Sequence, residues 1–305
     1  MTNLSPRTVA ISISDAPDRL KLGFPKQEVD RMLLSICSAL VRSGARVQYA
    51  GNLNPSGFTF KIFRHLASAY ALRDDVPPFI HLIPDPILRR SSFDALAEML
   101  RECRSIAETH AFLGPTDMRL SLEPPGHIVA TDGAGQPRVL ESDDQFARWL
   151  ESASAWTPAE AYSWARQHAA ETSDARIALG GKMGTQANLS DHYEGAMPGV
   201  VEEALLTLDA GKPFIPFAAF GGATRDIAIA LSLLPADARV ERPEQFPNYH
   251  TAMALVEAHS DTIPEDFRGR LSDLAREENA EGAALKMIDL LANWTADFLP
   301  RVHFR

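Results

Sequence analysis

The hydrophobic residues in the first third of the chain predict alternating strands and helices. Short runs rich in β-branched residues, such as VAISIS at Val9–Ser14, are typical of buried strands. Between such runs, Gln27–Ser43 carries apolar residues at helical spacing on one face. Strands and helices that alternate with short connections indicate βαβ units and a parallel sheet. The predicted segments are strand Val9–Ser14, helix Gln27–Ser43, strand Arg46–Ala50, helix Phe58–Tyr70 and strand Phe79–Ile83.

Residues 87–155 interrupt this alternation. They contain one helical pattern, Phe93–Ala107, and a stretch rich in proline and glycine, Leu120–Val139, which indicates loops and a hairpin. We interpret the segment as an insertion, because it has too few regularly spaced apolar residues for a core of its own. The alternation then resumes with helix Pro158–Thr172, strand Ala175–Gly180, helix Gly199–Ala210, strand Phe214–Ala219 and helix Thr224–Leu234.

The last part of the chain, residues 243–305, has an amphipathic helical pattern throughout. We therefore predict a Rossmann-like, doubly wound parallel α/β sheet over residues 1–242, with the insertion at 87–155 and a helical C-terminal extension. The extension packs on this domain or on a second subunit. The apolar spacing within Ala283–Phe298 predicts a homo-oligomer that associates through helices, and packing on the chain's own sheet is the alternative.

The acidic composition limits the possible partners. The formal net charge is −10 and the isoelectric point is near 5.4, so the chain repels the phosphate backbone of DNA or RNA. A single nucleotide is still compatible with this charge, because one small anion needs only a few backbone N–H groups and a basic side chain. We expect a small-molecule partner and no nucleic acid.

Other sequence features indicate a cytoplasmic protein without a metal site. The chain has only two cysteines, which excludes a disulfide scaffold. We see neither a signal peptide nor an apolar run of the roughly 18 residues that a membrane span needs. The histidines lack H-x-x-H spacing and the cysteines lack C-x-x-C spacing, so we predict no metal and no other cofactor.

Glycine-rich loops follow three of the predicted strands. Ligands of open parallel sheets bind beyond the carboxyl ends of the strands, where loops lead into helix N-termini. Glycine allows backbone N–H groups to approach an anion without an intervening Cβ, so these loops predict a phosphate cradle. Tight turns between strand and helix require glycine in any case, which is the alternative reading. A fourth candidate loop, Ser14-Asp15, follows the first strand. The candidate ligand-binding residues of the four loops are Ser14, Asp15, Gly51, Asn52, Ser56, Gly57, Gly180, Gly181, Lys182, Gly184, Thr185, Gly221 and Gly222.

Further candidates lie beside these loops. Pro198 and Gly199 begin a helix whose first turn carries Glu202 and Glu203. Acids at this position favour the positive end of the helix dipole, and one of two adjacent acids can face the cleft instead. Arg225 follows Gly221 and Gly222 at a helix start, where we predict a phosphate contact. Tyr193 either stacks on a base or ribose or holds its loop in place.

The stretch from Trp164 to Phe220 joins a strand, a glycine loop, a helix N-terminus and paired acids. Its segment DARIALGGKMGT, residues 174–185, follows Arg166-Gln167 and precedes Pro198–Glu203. In this order of motifs the sequence resembles the SLOG superfamily, which includes the Lonely Guy phosphoribohydrolases and the ligand-binding domains of TRPM channels. The Lonely Guy pattern places an Arg-Lys pair on a helix before D-A-F-I-A-L-P-G-G-x-G-T-x-x-E.

The resemblance covers residues 8–235 apart from the middle insertion. It implies that Gly51–Gly57 and Gly180–Gly184 hold phosphates, that Arg166 and Arg225 supply charge, and that Glu203 accepts hydrogen bonds from ribose hydroxyls. The sequence is most similar to the branch found in bacterial conflict systems. That branch implies a sensor of a phosphorylated nucleotide, such as an ADP-ribose or cyclic-nucleotide derivative, in antiviral defence or signalling.

The alternative implied by the resemblance is an N-glycoside hydrolase of the phosphoribohydrolase type. Glu203 or Glu202 would then stabilise an oxocarbenium-like ribosyl transition state, and Arg166 would position the phosphate. Two departures favour the sensor. Gln167 replaces the lysine of the Arg-Lys pair, and Asn52–Ser56 interrupts the loop that is glycine-rich in the hydrolases.

Overall fold

The structure, a computed structural model, describes residues 3–70, 76–154, 156–241 and 243–298, without the side chains of Tyr70 and residues 295–298. The strands in these ranges are β1 (Thr8–Ser14), β2 (Arg46–Ala50), β3 (Phe79–Ile83), β4 (Ala107–Leu113), β5 (Thr116–Glu123), β6 (His127–Asp132), β7 (Pro137–Leu140), β8 (Ala175–Gly180) and β9 (Phe214–Phe217). The helices are α1 (Lys26–Arg42), α2 (Phe58–Tyr70), α3 (Asp85–Arg89), α4 (Phe93–Cys103), α5 (Asp143–Glu151), α6 (Pro158–Glu171), α7 (Gly199–Asp209), α8 (Gly222–Ala230), α9 (Pro247–Glu257), α10 (Glu265–Arg276) and α11 (Ala280–Phe298).

The chain divides into two units, which we describe separately. The first unit consists of Met1–Ala45 and Ala170–Arg305, and the second consists of Arg46–Ala169. The predicted insertion, 87–155, therefore belongs to the same unit as the strands and helices on either side of it. The predicted C-terminal extension belongs to the same unit as the glycine loop at residues 180–184.

The first unit is built on three parallel strands in the order β1-β8-β9. Ile11 pairs with Ile177 and Ile177 with Ile215, and all three side chains are buried. Continuous burial of this kind is typical of a parallel strand that is covered on both faces. Helix α1 buries the face that its apolar spacing predicts. The strands and α1 thus form the core beneath the glycine loop.

The C-terminal helices pack on this core. Helix α11 lies along α1, α10 packs against β9, and α9 contacts α7 and α8. On α11, Ile288 and Leu291 are buried, whereas Leu285 is 73% exposed. Packing within the unit therefore accounts for Ile288 and Leu291 of the apolar face that suggested self-association, but not for Leu285. The homo-oligomer remains a prediction, and the side chains of Thr295 and Phe298 lie outside the described residues.

The second unit begins with parallel strands and continues as an antiparallel meander. Its strand order is β2-β3-β4-β5-β6-β7, with β2, β3 and β4 parallel and the later pairs antiparallel. The sequence pattern predicted a helix up to Ala107 and a single hairpin, so it missed β4 and the first turn of the meander. The turn consists of Gly114, with φ of +58°, and Pro115, between the paired residues Leu113 and Thr116. Two-residue hairpin turns need this positive φ.

Both units have parallel strands covered by helices, which confirms the predicted Rossmann-like α/β class with C-terminal helices. None of the helices in the described ranges combines the length and the apolar character that crossing a membrane requires. Within the same ranges, no group of three or more His, Cys, Asp or Glu side chains is arranged to hold a metal ion.

Candidate anion-binding site

The candidate site of the first unit starts where β1 and β8 end side by side. Ser14 pairs with Gly180 across the two strands. The backbone N–H of Gly181 donates to the Ser14 carbonyl at 3.0 Å, and the N–H of Lys182 donates to Ser14 Oγ at 3.1 Å. Ser14 therefore fixes the direction in which the chain leaves β8, and both contacts use N–H groups of the predicted cradle.

Gly181 brings two helix N-termini against this loop. Its φ is +106°, and a Cβ added there would lie 3.0 Å from Ala223 Cβ and 3.1 Å from Val200 Cγ2. Ala223 belongs to the first turn of α8, and Val200 belongs to the first turn of α7. Only glycine combines this backbone conformation with such close contact. The loop and both helix starts thus form one cluster.

At the start of α8, the first backbone N–H groups donate to acceptors that belong to the chain itself. The N–H of Gly222 donates to Asp18 Oδ1 at 2.7 Å, and the N–H of Ala223 donates to the Gly181 carbonyl at 3.0 Å. A Cβ on Gly221 would lie 2.4 Å from the same Asp18 oxygen. Arg225 donates from Nε to the Ala238 carbonyl at 2.7 Å and from Nη1 to the Ala218 carbonyl at 3.2 Å.

The start of α7 is open, in the sense that its first backbone N–H groups have no acceptor within the described ranges. The N-cap residue is Pro198, whose side chain has no acceptor and makes no capping hydrogen bond. The N–H groups of Gly199 and Val200 form no hydrogen bond within the described ranges. The first N–H groups of a helix carry the positive end of its dipole, equivalent to about half an elementary charge. Two unsatisfied donors at this end make a suitable place for an anion.

The paired acids of α7 have different surroundings. Glu203 Oε2 lies 3.3 Å from Nη1 of Arg176, whose side chain is 2% exposed on β8. Arg176 also donates to Ser12 Oγ and to Thr207 Oγ1, each at 2.9 Å. Glu203 Oε1 forms no hydrogen bond within the described residues. Glu202 is buried. The ion pair therefore fixes the Glu203 carboxylate near the start of α7 and leaves one of its oxygens available.

The segment between Thr185 and Pro198 is anchored on both sides. Lys182 Nζ donates to the His192 carbonyl at 2.7 Å, and the Tyr193 hydroxyl donates to Asn248 Oδ1 at 2.5 Å. The rings of His192 and Tyr193 contact the Phe246 ring edge-on. Burial is the main cause that raises the pKa of Tyr193, and the Asp191 charge adds to it. Tyr193 thus holds its loop in place.

The other predicted residues form contacts of their own outside this cluster. Asp15 is exposed and pairs with Lys26 at 3.7 Å. In the second unit, the turn at residues 51–57 is closed by its own contacts. For example, Asn52 Oδ1 accepts from the Asn54 N–H at 3.1 Å, and the Gly57 N–H donates to the Asn54 carbonyl at 2.8 Å. The turn also contains Gly51 and Ser56.

Arg166 lies on α6, which begins in the second unit. Its guanidinium carbon is 5.3 Å from the centre of the Tyr162 ring. This is a distance at which a cation is attracted to the face of the ring. Tyr162 therefore supports the Arg166 side chain along its own helix.

Sequence reasoning missed three residues that organise the first unit's cluster: Asp18, Arg176 and Asp191. An arginine inside the apolar strand sequence ARIALG was a signal, because a buried guanidinium needs a carboxylate partner. Asp18 follows β1 in a loop that was already a candidate. Asp191 lies in a segment without any periodic pattern, so nothing in the sequence pointed to it.

These features define a class of protein. Parallel strands whose glycine loop lies against helix N-termini are typical of Rossmann-like proteins that bind phosphorylated ligands. A comparison with family models then identifies the family. Residues 3–281 match the model described as SLOG cluster2, and the chain belongs to this family. A search of curated proteins finds no match. The family confirms the SLOG resemblance and associates the chain with a nucleotide-related ligand-binding or glycosidase-like function.

Proposed function

We propose that the first unit binds a phosphorylated nucleotide-type ligand, such as an ADP-ribose or cyclic-nucleotide derivative, as a sensor in bacterial defence or signalling. The observation that carries this proposal is the open start of α7 beside Gly181. Two N–H donors without partners, a helix dipole and a glycine without a side chain are what a phosphate group requires.

The loop beside this position also carries a cation, Lys182. Its ammonium donates one hydrogen bond to the His192 carbonyl, and an ammonium carries three donors. The loop that bears Lys182 passes directly beneath Val200 of α7 through Gly181. A phosphate at the start of α7 is therefore served by backbone donors from one side and by a lysine from the adjoining loop.

Glu203 is suited to the ribose. Arg176 holds one carboxylate oxygen and leaves Oε1 free to accept a hydrogen bond from a sugar hydroxyl. A hydrogen bond to a charged acceptor contributes about 1.5–3 kcal/mol. Because Arg176 is itself held by Ser12 and Thr207, the carboxylate is positioned before the ligand arrives. Positioning of this kind reduces the entropy that binding has to overcome.

The proposal is tested by a thermal-shift screen with nucleotides, followed by chromatography of the incubated ligand. A ligand that binds only the folded state raises the midpoint of unfolding by mass action. A sensor gives such a shift and leaves the ligand intact. If no phosphorylated nucleotide shifts the midpoint at millimolar concentration, the proposed function is wrong.

A second function is favoured by the same ion pair. A carboxylate that an arginine positions near a bound ribose can stabilise an oxocarbenium-like transition state, so N-glycoside hydrolysis by Glu203 or Glu202 is the alternative. Release of a free base in the chromatogram supports the hydrolase and contradicts the sensor.

Glu203→Gln separates the two functions. In a sensor, the change weakens affinity by roughly tenfold to a hundredfold, because the charged acceptor is lost. Neither form then releases a base. In a hydrolase, the same variant binds the nucleotide almost normally and loses turnover, because the charge matters most in the transition state.

A further inference from the structure

A cavity of about 290 Å³ lies in the second unit, where the hairpins β4–β5 and β6–β7 approach the end of α5. Its lining combines apolar side chains, such as Leu113 and Trp149, with the charged side chains of Asp132 and Arg138. Ligand sites are mostly apolar with a few polar groups that orient the ligand, and their volumes begin at roughly 300 Å³. The cavity therefore has the size and the lining of a site for a small molecule.

The guanidinium of Arg138 has unused donors. It donates from Nη1 to Ser152 Oγ at 3.3 Å, and no carboxylate oxygen lies within 4 Å of it in the described ranges. A guanidinium carries five N–H donors in a planar fork, which can form two parallel hydrogen bonds with one carboxylate. Arg138 can therefore bind a carboxylate in the cavity without giving up an ion pair.

The carboxylate of Asp132 lines the same cavity. Its Oδ1 accepts the N–H groups of Ala134 at 3.0 Å and of Gln136 at 2.9 Å, which fixes its orientation in the turn between β6 and β7. Its Oδ2 forms no hydrogen bond, and no Lys, Arg or His nitrogen lies within 4 Å of the carboxylate, among the residues that the structure describes. The cavity thus contains a cation and an anion, each without a partner of opposite charge within 4 Å.

Trp149 contributes an apolar ring and a hydrogen-bond donor to the cavity wall. The residue is 1% exposed, and its indole Nε1–H has no acceptor within the described part of the chain. The Phe146 ring packs against the indole, with 5.7 Å between the two ring centres. A buried N–H without an acceptor costs free energy comparable to a lost hydrogen bond. A ligand that brings an acceptor to this wall removes that cost.

We propose that the cavity binds a free α-amino acid with an apolar side chain. Arg138 and the indole N–H of Trp149 bind its carboxylate, Asp132 binds its ammonium group, and its side chain packs on Leu113 and Trp149. A ligand with a carboxylate alone would bring a second negative charge to Asp132, and a ligand with an amine alone would leave Arg138 unused. The two charges of the cavity therefore favour a ligand that carries both.

This inference goes beyond the proposed function and does not depend on it. The nucleotide is proposed to bind at the start of α7 in the first unit, whereas the cavity belongs entirely to the second unit. Loss of nucleotide binding therefore leaves the inference intact, and absence of amino-acid binding leaves the proposed function intact.

The test titrates the full chain with free leucine, methionine and phenylalanine. The indole N–H resonance of Trp149, assigned by its absence in Trp149→Phe, should shift in NMR spectra, and titration calorimetry gives the affinity independently of that assignment. The N-acetyl derivatives lack the ammonium group and the carboxamides lack the carboxylate. Both should bind about tenfold or more weakly, because each loses a hydrogen bond between charged groups. The proposal is wrong if none of the three amino acids binds at millimolar concentration, or if either derivative binds as tightly as its parent.

Arg138→Gln tests the proposed carboxylate contact, and Arg148→Gln is its matched control. Arg148 is exposed on α5, donates to the Asp144 carbonyl at 3.1 Å and does not line the cavity. We expect Arg138→Gln to weaken amino-acid affinity by about tenfold or more, and Arg148→Gln to leave it within about a factor of two. Thermal unfolding shows that both variants are folded. Equal affinities in the two folded variants overturn the inference.

Discussion

Helices α7 and α8 both begin against Gly181, but their first backbone N–H groups have different partners. At α8, the carboxylate of Asp18 accepts the N–H of Gly222. At α7, the side chain of Pro198 offers no acceptor, and the N–H groups of Gly199 and Val200 stay open within the described ranges. The sequence around both starts is equally rich in glycine. Glycine alone therefore does not mark an anion site, because the chain's own acids decide which helix start is available.

The largest effect concerns the ion pair between Glu203 of α7 and Arg176 of β8. Glu203→Ala removes the carboxylate that lies 3.3 Å from the buried guanidinium of Arg176, and breaking a buried pair on one side costs about 3–5 kcal/mol of unfolding free energy. Urea denaturation measures this loss. Glu203→Gln is the comparison and should lose less, because it also removes the charge but keeps an amide oxygen that accepts a hydrogen bond. Equal losses would show that the charge of Glu203, which both variants remove, accounts for the whole effect. A loss of less than about 1 kcal/mol in Glu203→Ala would contradict the prediction.

The difference between the two helix starts can be removed by giving α7 a carboxylate acceptor like the one that α8 has. Pro198 has φ of −55° and ψ of 133°, which is an extended conformation that an N-cap aspartate adopts readily. Pro198→Asp should stabilise the fold by about 0.5–2 kcal/mol. It should also weaken nucleotide affinity more than tenfold, because the ligand phosphate would lose a hydrogen bond that contributes about 1.5–3 kcal/mol.

Pro198→Ala is the matched control for this variant. It removes the proline ring and leaves the N–H groups of α7 open, so affinity should stay within about a factor of two. Titration calorimetry measures both variants. If Pro198→Asp binds nucleotide as tightly as Pro198→Ala, the phosphate does not lie at the start of α7.

The reverse change removes the carboxylate acceptor at the start of α8. Asp18→Ala removes the acceptor of the Gly222 N–H and should cost about 0.5–2 kcal/mol of stability, as the loss of a helix cap does. Asp15→Ala, on the same loop and exposed, should change stability by less than about 0.5 kcal/mol. Nucleotide affinity should be preserved in both variants. Loss of binding in a folded Asp18→Ala protein would place the ligand at α8 instead.

The smallest effect lies in the second unit and depends on pH. Burial disfavours the charged form of His110, but hydrogen bonds and charges of Asp117 and Glu108 outweigh it and raise the pKa. The resulting stabilisation is complete below the unfolded pKa of about 6.5 and is lost as pH rises through the raised folded value. Stability measured between pH 6 and 9 should therefore fall in the unmodified protein and fall less in His110→Gln.

The sequence predicted the parallel part of the fold because hydrophobic spacing controls it. Strands β1 and β8 and helix α1 lie where the pattern placed them, since each buries a continuous or helical set of apolar residues. The meander was missed because its strand β5 is half exposed and because its register depends on the turn at Gly114. The register of β4 and β5 is therefore set by the backbone conformation of the turn, which hydrophobic spacing does not reveal.

The candidate site was predictable only in part. Glycine positions and the start of α7 follow from local sequence, and so do the acids of its first turn. The partners of the N–H groups do not, because Asp18 and Asp191 come from segments that are distant along the chain or lack a pattern. Tertiary contacts therefore decide which part of a glycine-rich cluster is open.

The central claim is that the open N–H groups of α7 bind a ligand phosphate, and Gly199 offers the most direct measurement. Proline suits the first position of a helix and removes only its N–H, whereas alanine at the same position keeps it. Nucleotides that shift the unfolding midpoint are titrated into both variants. We predict that Gly199→Pro binds about tenfold or more weakly than Gly199→Ala. Equal affinities in two folded proteins would contradict the claim.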